Sequence, residues 1–510
     1  MRVAIRVDAS AQIGTGHVKR SLSLAEALRA HGGEVRFVTR ALGVDSVGLI
    51  ARAGFEQTIL LPPPGSVFTP DPIIPHSEWA EVSVERDTAE TVEALAEFAP
   101  DWVVLDSYAF DARWHKAVRS QLDCKIAQID DLADRKLACD LLIDHTYALD
   151  HRAKYGRKLP RTARLLGGPR FGLLGPAYAR ASRYQFSETV RSIGIFMGGV
   201  DAGGHSFAVL DALEAIAFEG EIEVVATSAN PHLGDLRERV TARPNARLSL
   251  DLPDLTAFFA RHDLQIGAGG GASWERCCIG VPTLLVVVAP NQMSVAPMLA
   301  DAGVAAYAPD PAPDRIARQV KVLIASPENR ASLADNSRRL VDGLGSTRVA
   351  LGMLAEEVTV RRAAQDDAQM MFDWRGAPTT RAVSLDTDEL VWSEHIAWLN
   401  RVLKDPTRPL FVGEIGGRPI GVIRFDFSGE MRAPERAEVS LYLDPALHRL
   451  GLGQHLLLAG EAAANPAIVD ATVLSDNRAS QRLFEACGYT QTGKTTWRKH
   501  RQASSDLPRA

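Results

Sequence analysis

The chain has 510 residues, 46% hydrophobic and 24% charged. That composition excludes a disordered, collagen-like or coiled-coil chain, and at roughly 150 residues per domain the length predicts about three domains. Lys and Arg total 57 against 63 Asp and Glu, a formal net charge of -6. This argues against a nucleic-acid partner, which needs a basic footprint.

The five cysteines are Cys124, Cys139, Cys277, Cys278 and Cys487. None sits in a C-x-x-C pair and two are adjacent, so a disulfide framework and a zinc site are both excluded and no metal is expected. The opening MRVAIRVDAS carries Arg2, Arg6 and Asp8 and is no signal peptide. The longest apolar stretch, around Val281 to Pro290, is too short to span a bilayer. A cytoplasmic protein with no membrane partner is the expectation.

An apolar strand, Val3 to Val7, is followed by the turn Gly14-Thr15-Gly16 and a helical pattern from about His17 to Ala30. Further strands are predicted at Glu34 to Val38, Trp102 to Leu105, Lys125 to Ile129 and Leu141 to Ile143. Several end in acidic residues: Asp106, Asp130 with Asp131, and Asp144. After about residue 185 the pattern restarts with strands at Ser192 to Met197, Glu221 to Thr227, Asp263 to Ile266 and Pro282 to Val288. Gly269-Gly270-Gly271 leads into a helix over Ser273 to Cys278. Buried strands alternating with helices predict parallel sheets, so residues 1–182 and 183–352 read as two successive α/β domains. From near Val358 the strands shorten and alternate. Phe411 to Glu414, Pro419 to Phe425 and Ala437 to Leu443 predict an antiparallel meander in a third domain, 358–498, with a loose polar tail.

His17 follows a strand and a Gly-rich turn at a helix start. Gly14 and Gly16 permit a tight turn and close backbone approach to a substrate. The helix N-terminus favours a neutral imidazole, the form a general base needs. A dinucleotide fingerprint fails here, because Lys19 occupies its third glycine position, and no Gly-Lys-Ser/Thr makes a Walker loop. A cap or surface histidine is the plain alternative. Asp8 either orients His17 or caps a turn.

The stretch Arg6 to Arg20, with Asp8, Gly14, Gly16 and His17, resembles the opening of the UDP-sugar hydrolases of pseudaminic acid biosynthesis. Val104-Leu-Asp106-Ser-Tyr108, Ile129-Asp-Asp-Leu-Ala-Asp134-Arg135, Leu165-Leu-Gly-Gly-Pro-Arg170, Met197-Gly198-Gly, Ile266 to Arg276 and Asn291-Gln292 extend the resemblance in order over residues 1–350. It implies a GT-B fold, a pair of Rossmann-like domains as in the glycosyltransferase that makes the peptidoglycan lipid precursor. It also implies cleavage of UDP-2,4-diacetamido-2,4,6-trideoxy-β-L-altropyranose to UDP and the free sugar, with His17 as base. His145-Thr146 departs from an expected Gln-Asn, Gly168 is an apparent insertion, and Gly175 replaces an expected Arg.

Gly267-x-Gly269-x-x-Ala272 formally fits a dinucleotide fingerprint, but Asn291 stands where its acidic ribose partner belongs. Glycines ahead of a helix still make a phosphate cradle of Gly270, Gly271, Ala272 and Ser273, unless they serve only helix–sheet packing. The resemblance implies that Glu275 holds the ribose, with Asn291, Gln292, Gly198 and Arg170 near the nucleotide or sugar.

Leu443 to Leu457 reads as strand, turn with Gly451-x-Gly453, and apolar helix. With Asp373-Trp374-Arg375, His395-x-x-Trp398, Asp476-Asn477-x-x-Ser480-x-x-x-Phe484 and Cys487-Gly488-Tyr489, it resembles the GNAT acetyltransferases over 358–495. The resemblance implies an α/β domain with a mostly antiparallel sheet and acetyl-CoA as co-substrate. It places Leu443, His448, Arg449, Gly451, Gly453, Asn477 and Ser480 at the co-substrate, and is nearest the enzymes that acetylate the 4-amino group of the pseudaminic precursor. His448 stands where Arg or Gln is usual, and Phe484 where many relatives carry a Tyr acid, which Phe cannot replace. Tyr489 and Tyr442 are the candidate acids, and Glu438 is either the base or a solvated strand residue.

Together these features predict a bifunctional enzyme that acetylates a UDP-4-amino sugar and hydrolyses the product. A GT-B glycosyltransferase with a non-water acceptor and a non-catalytic UDP-sugar binding protein are the alternatives.

Overall fold

The computed structural model describes residues 1–10, 12–63, 68–428 and 436–501. The tail beyond 501 lies outside the described residues. The chain divides into a first unit, Met1–Arg29 with Gly33–Val349, and a second that runs from Ala350 and includes Ala30–Gly32.

The first unit holds two parallel sheets. The first comprises β1 (Arg2–Val7), β2 (Glu34–Leu42), β3 (Glu56–Leu60), β4 (Trp102–Asp106), β5 (Lys125–Ile129), β6 (Leu141–Asp144) and β7 (Arg164–Gly167). Helices α1 (Gly16–Ala30), α2 (Val84–Leu95) and α3 (Ala112–Leu122) connect strands. Val3, Ala4, Ile5 and Val7 are all buried, as a central strand covered on both faces requires. The order β3-β2-β1-β4-β5-β6-β7 reverses at β1. Ile5 pairs with Phe37 on one side and Val104 on the other. The ends of β1 and β4 therefore flank the crevice where open sheets bind ligands.

After α4 (Pro176–Arg180), a second sheet forms from β8 (Ser192–Phe196), β9 (Glu221–Ala226), β10 (Ala246–Leu250), β11 (Leu264–Ala268), β12 (Thr283–Val286) and β13 (Ala306–Ala308). Its order, β10-β9-β8-β11-β12-β13, reverses between β8 and β11. The eight-residue helix α5 (Ala272–Ile279) starts there. Tyr178 and Tyr184 pack with Trp274, Cys278 and Ile279 in one core.

In the second unit, β14 (Thr359–Arg362), β15 (Leu410–Ile415), β16 (Arg418–Ser428), β17 (Arg436–Leu443) and β18 (Ile468–Thr472) are followed by β19 (Thr490–Gln491) and β20 (Thr496–His500). The order is β14-β15-β16-β17-β18-β20-β19, antiparallel except for β17 with β18. Helices α6 (Ala368–Gly376) and α7 (Trp392–Val402) cover one face through Met371, Leu399 and Val402. Helices α8 (Leu452–Ala464) and α9 (Arg478–Ala486) cover the other through Leu456, Leu457 and Phe484. β17 and β18 pair only from Arg436 to Glu438, and beyond that rung the described strands part.

Among the described residues, no helix is long and apolar enough to cross a membrane. No group of three or more His, Cys, Asp or Glu side chains there is arranged to hold a metal ion.

Candidate active sites

Gly14 turns the chain with φ +71, its N–H bonded to the Ser10 carbonyl. The turn delivers His17, 7% exposed, into the crevice between β1 and β4. There Nδ1 lies 2.6 Å from Oδ1 of Asp106, the last residue of β4. Arg20 Nε donates to Asp106 Oδ2 at 2.7 Å, and Ser21 Oγ at 3.1 Å. Burial works to raise the Asp106 carboxyl, but Arg20 and His17 outweigh it and hold it well below the usual carboxylate range. In a neutral ring an ionised Asp106 favours the proton on Nδ1, which leaves the lone pair on Nε2. The Tyr108 ring packs edge-on to His17 at 4.8 Å, and its hydroxyl donates to Asp131. His145, 6% exposed, lies within electrostatic reach of Arg20, Asp131 and Asp106, and its Nδ1 has no partner.

The carboxylate on His17 is thus Asp106, not Asp8. Asp8 is 4% exposed and is consumed by the Arg6 guanidinium and the Arg40 N–H. Arg6 and Arg40 in turn meet Asp87 of α2, so Asp8 belongs to a buried structural network. Arg135 is likewise structural. It is 5% exposed, ion-paired to Asp130 and Asp134, and bonded to the Phe110 and Ser107 carbonyls.

At the second crevice, β11 runs into Gly269-Gly270-Gly271 and α5. A Cβ on Gly270, Gly271 or Gly198 would meet nothing within 4 Å, so these backbones are open to a ligand. Gly198 has φ +110. A Cβ on Gly267 would overlap the Arg276 guanidinium and the Phe196 carbonyl, so that glycine serves packing. Half-buried Glu275 accepts from Tyr178 of α4, and burial raises its carboxyl above the ordinary range. Lys19 of α1 acts electrostatically on Glu275. Asn291 is exposed. Two predicted contacts point elsewhere: Ser273 is 3% exposed with its hydroxyl on Arg276, and buried Gln292 accepts from Val288 N–H at 2.9 Å while packing on Gly269. Arg170 is half-buried, its guanidinium 5.2 Å from the Phe171 ring.

In the second unit, Arg449 and Gly451 both adopt positive φ, +70 and +76, in the turn before α8. The first N–H groups of this 13-residue helix lack helical partners, which suits a pyrophosphate. Leu443 ends β17 on the stretch that has parted from β18, and half-buried His448 lies in the turn. Gly453 is buried against Leu483 and serves packing. Asn477 caps α9, accepting from Ser480 N–H at 3.0 Å, so its carbonyl is spent on the fold. Glu438 is exposed, accepts from Thr472 at 2.8 Å, and stands on the paired part of the sheet. Five residues of strand, about 16 Å, separate it from Leu443 and so set it apart from the turn before α8. Tyr489 is also corrected as an acid: it is 4% exposed behind Phe484, and its hydroxyl donates to buried Glu461 at 2.8 Å. Tyr442 is half-buried near Arg375 and Arg424, and burial raises its hydroxyl above the ordinary range.

Asp106, Arg20, Tyr178 and Arg276 were not assigned roles from sequence. Asp106 alone carried a signal, as one of the acids that end buried strands.

The acetyltransferase (GNAT) family matches residues 368–489. The putative phosphinothricin acetyltransferase YwnH of Bacillus subtilis is 30% identical over 142 residues, 27% of this chain and 86% of its own. Through its second unit the chain belongs to the GNAT acetyltransferase family. Over the first unit it is similar to the spore coat polysaccharide biosynthesis protein SpsG of B. subtilis. Identity there is 26% over 362 residues, 68% of this chain and 96% of the relative. It is also similar to the UDP-2,4-diacetamido-2,4,6-trideoxy-β-L-altropyranose hydrolase of Campylobacter jejuni, 23% identical over 304 residues, 59% of this chain and 97% of that one. Among solved structures, the glycotransferase of kitacinnamycin aligns with TM-score 0.50 at 17% identity, covering 68% of this chain and 97% of its own, which shows the GT-B fold. The chain is an enzyme that joins a GT-B unit homologous to UDP-sugar hydrolases to a GNAT acetyltransferase domain.

Proposed function

We propose that the first unit hydrolyses UDP-2,4-diacetamido-2,4,6-trideoxy-β-L-altropyranose to UDP and 2,4-diacetamido-2,4,6-trideoxy-L-altrose. We propose further that the second acetylates its UDP-4-amino precursor, in pseudaminic acid biosynthesis. The observation that carries this reading is the His17–Asp106 pair at the reversal of a parallel sheet, in a unit homologous to the Campylobacter hydrolase.

His17 Nε2 accepts a proton from a water whose oxygen attacks the anomeric carbon. The bond from that carbon to the diphosphate oxygen breaks, and the electron pair leaves with UDP. A single displacement inverts the carbon. In this reading residues 1–182 supply the base. Residues 183–352 hold UDP on the backbone of Gly198, Gly270, Gly271 and Ala272, with Glu275 on the ribose and the helix N-terminus stabilising the leaving charge. In 358–498 the turn His448–Gly451 and the start of α8 hold the pyrophosphate of acetyl-CoA, and Leu443 lines its acetyl arm. Acetyl-CoA supplies an activated thioester carbonyl to the sugar amine.

The test incubates purified protein with the diacetamido UDP-sugar in 18O-water without any acceptor. Hydrolysis gives UDP and a sugar labelled at the anomeric carbon. A glycosyltransferase with another acceptor would release no UDP, and a binding protein would retain the nucleotide with no dependence on His17.

A further inference from the structure

Arginines buried in this protein are generally paid in kind. Arg6 meets Asp8 and Asp87, and Arg40 meets Asp87 and Glu90. Arg330, fully buried without an acid, donates to the carbonyls of Leu323, Ile324, Ser187 and Glu188. Arg276 is the exception. It is 0% exposed, and its Nη2 donates to the Ala268 carbonyl at 2.7 Å and to Ser273 Oγ at 3.3 Å. Its Nε and Nη1 have no hydrogen-bond partner, and no carboxylate is bonded to it among the described residues; the Phe259 ring lies 5.9 Å away and Glu275 acts on it electrostatically. Adjacent Glu275 is engaged by Tyr178. Burial pulls the Arg276 guanidinium down to about 10, still protonated at neutral pH.

A buried cation with neither an acid nor, as at Arg330, a full set of carbonyl acceptors is costly to a fold, and a ligand anion would offset that cost. The position identifies that anion. Ala268 is the last residue of β11, so the guanidinium sits at the strand end that leads into the turn, with Nη1 beside Gly267, while the backbone at Gly270 and Gly271 is open. Two independent features, the helix start with its open glycines and the orphaned cation beside it, favour one ligand charge at one place.

We propose that Arg276 is the electrostatic floor of the nucleotide site, and that its counter-charge is the diphosphate of a nucleoside diphosphate bound on the Gly270–Ala272 backbone. The inference rests on the UDP reading above and adds a residue to it. Arg276 positions and stabilises the diphosphate through the turn without contacting the sugar or the base. It also favours the charge that develops on UDP as the glycosidic bond breaks.

The experiment compares wild type, Arg276→Gln and Arg276→Lys in the full chain. UDP affinity is measured by calorimetry, uridine affinity by ligand-observed NMR, and ligand-free Tm by calorimetric scan. Gln keeps a donor for the Ala268 carbonyl but drops the charge. It is expected to weaken UDP at least about tenfold and uridine by less than about twofold, with an unchanged or higher ligand-free Tm. Lys is expected to hold UDP within about threefold of wild type. Equal losses of UDP and uridine, an undiminished UDP affinity, or a Gln variant that does not fold would each overturn the proposal. The last would mean that the protein itself balances Arg276. If wild type binds uridine but gains nothing from the diphosphate, this inference falls and the uridine site stands. If it binds neither, the UDP reading itself falls.

Discussion

Asp106→Asn is the sharpest perturbation of the hydrolytic site. The native carboxylate accepts from His17 Nδ1 at 2.6 Å, Arg20 Nε at 2.7 Å and Ser21 Oγ at 3.1 Å. An amide matches the shape but presents an N–H₂ to one side. Arg20 donates to both oxygens, Nε to Oδ2 and Nη2 to Oδ1, so either placement sets the N–H₂ against one guanidinium donor. Ser21 also donates to Oδ2, which leaves the amide nitrogen on the His17 side, where it donates to Nδ1 and drives the imidazole proton to Nε2. The nitrogen meant to receive the water proton is then blocked. Loss of the base's tautomer costs about a hundredfold to ten-thousandfold in kcat. Arg20, its side chain 14% exposed, also loses its carboxylate, which costs about 3 kcal/mol of stability. UDP affinity should hold, because the nucleotide is assigned to the other half of the unit. The assay follows UDP release from the diacetamido UDP-sugar at saturation, with calorimetry for UDP binding and for Tm. A variant that turns over within about threefold of wild type would refute the tautomer reasoning. A variant that loses UDP affinity in proportion to rate would refute the division of labour.

Gly267→Ala should lower Tm, costing about 1–3 kcal/mol, because its Cβ displaces the Arg276 guanidinium or the Phe196 carbonyl; an unchanged Tm would mean the crevice floor is soft. His115 is fully buried, bonded at Nε2 to Gln128 and at Nδ1 to the Ala138 N–H, and burial lowers it from 6.5 to about 4. The unfolded chain therefore binds this proton first, and stability falls as pH drops from 6.5 toward 4, by roughly 3 kcal/mol at most. Imidazole NMR should show His115 neutral at pH 5.5, and a midpoint near 6.5 would contradict the burial. Tyr489→Phe removes the hydroxyl on Glu461 and should cost about 1–2 kcal/mol of stability while leaving acetyl transfer within about twofold. A large loss of acetylation at unchanged Tm would restore Tyr489 as the acid.

Local pattern made much of the architecture readable. Uninterrupted apolar runs such as Trp102 to Leu105 belong to strands covered on both faces, and the alternation from Ala437 to Leu443 belongs to a sheet with two unlike faces. His17 was legible because a strand, a glycine turn and a helix start lie consecutively in the chain. Its partner was not, since Asp106 is 89 residues away and only the order of β1 and β4 brings it in. Asp8 was the nearer acid in sequence, but it directly follows the strand that carries Arg6, and that guanidinium captures it. Ser273 and Asn477 look like ligand donors in a motif, but Ser273 accepts from the Arg276 side chain and Asn477 caps its own helix. Arg276 reads as an ordinary helix residue until its burial and missing partners are seen.

The most direct test of the whole account supplies purified protein with the UDP-4-amino precursor sugar and follows UDP release with and without acetyl-CoA. The account predicts release only when acetyl-CoA is present, with the acetylated UDP-sugar appearing first. Release at the same rate without acetyl-CoA, or none from that sugar or from its pre-acetylated form, would contradict it.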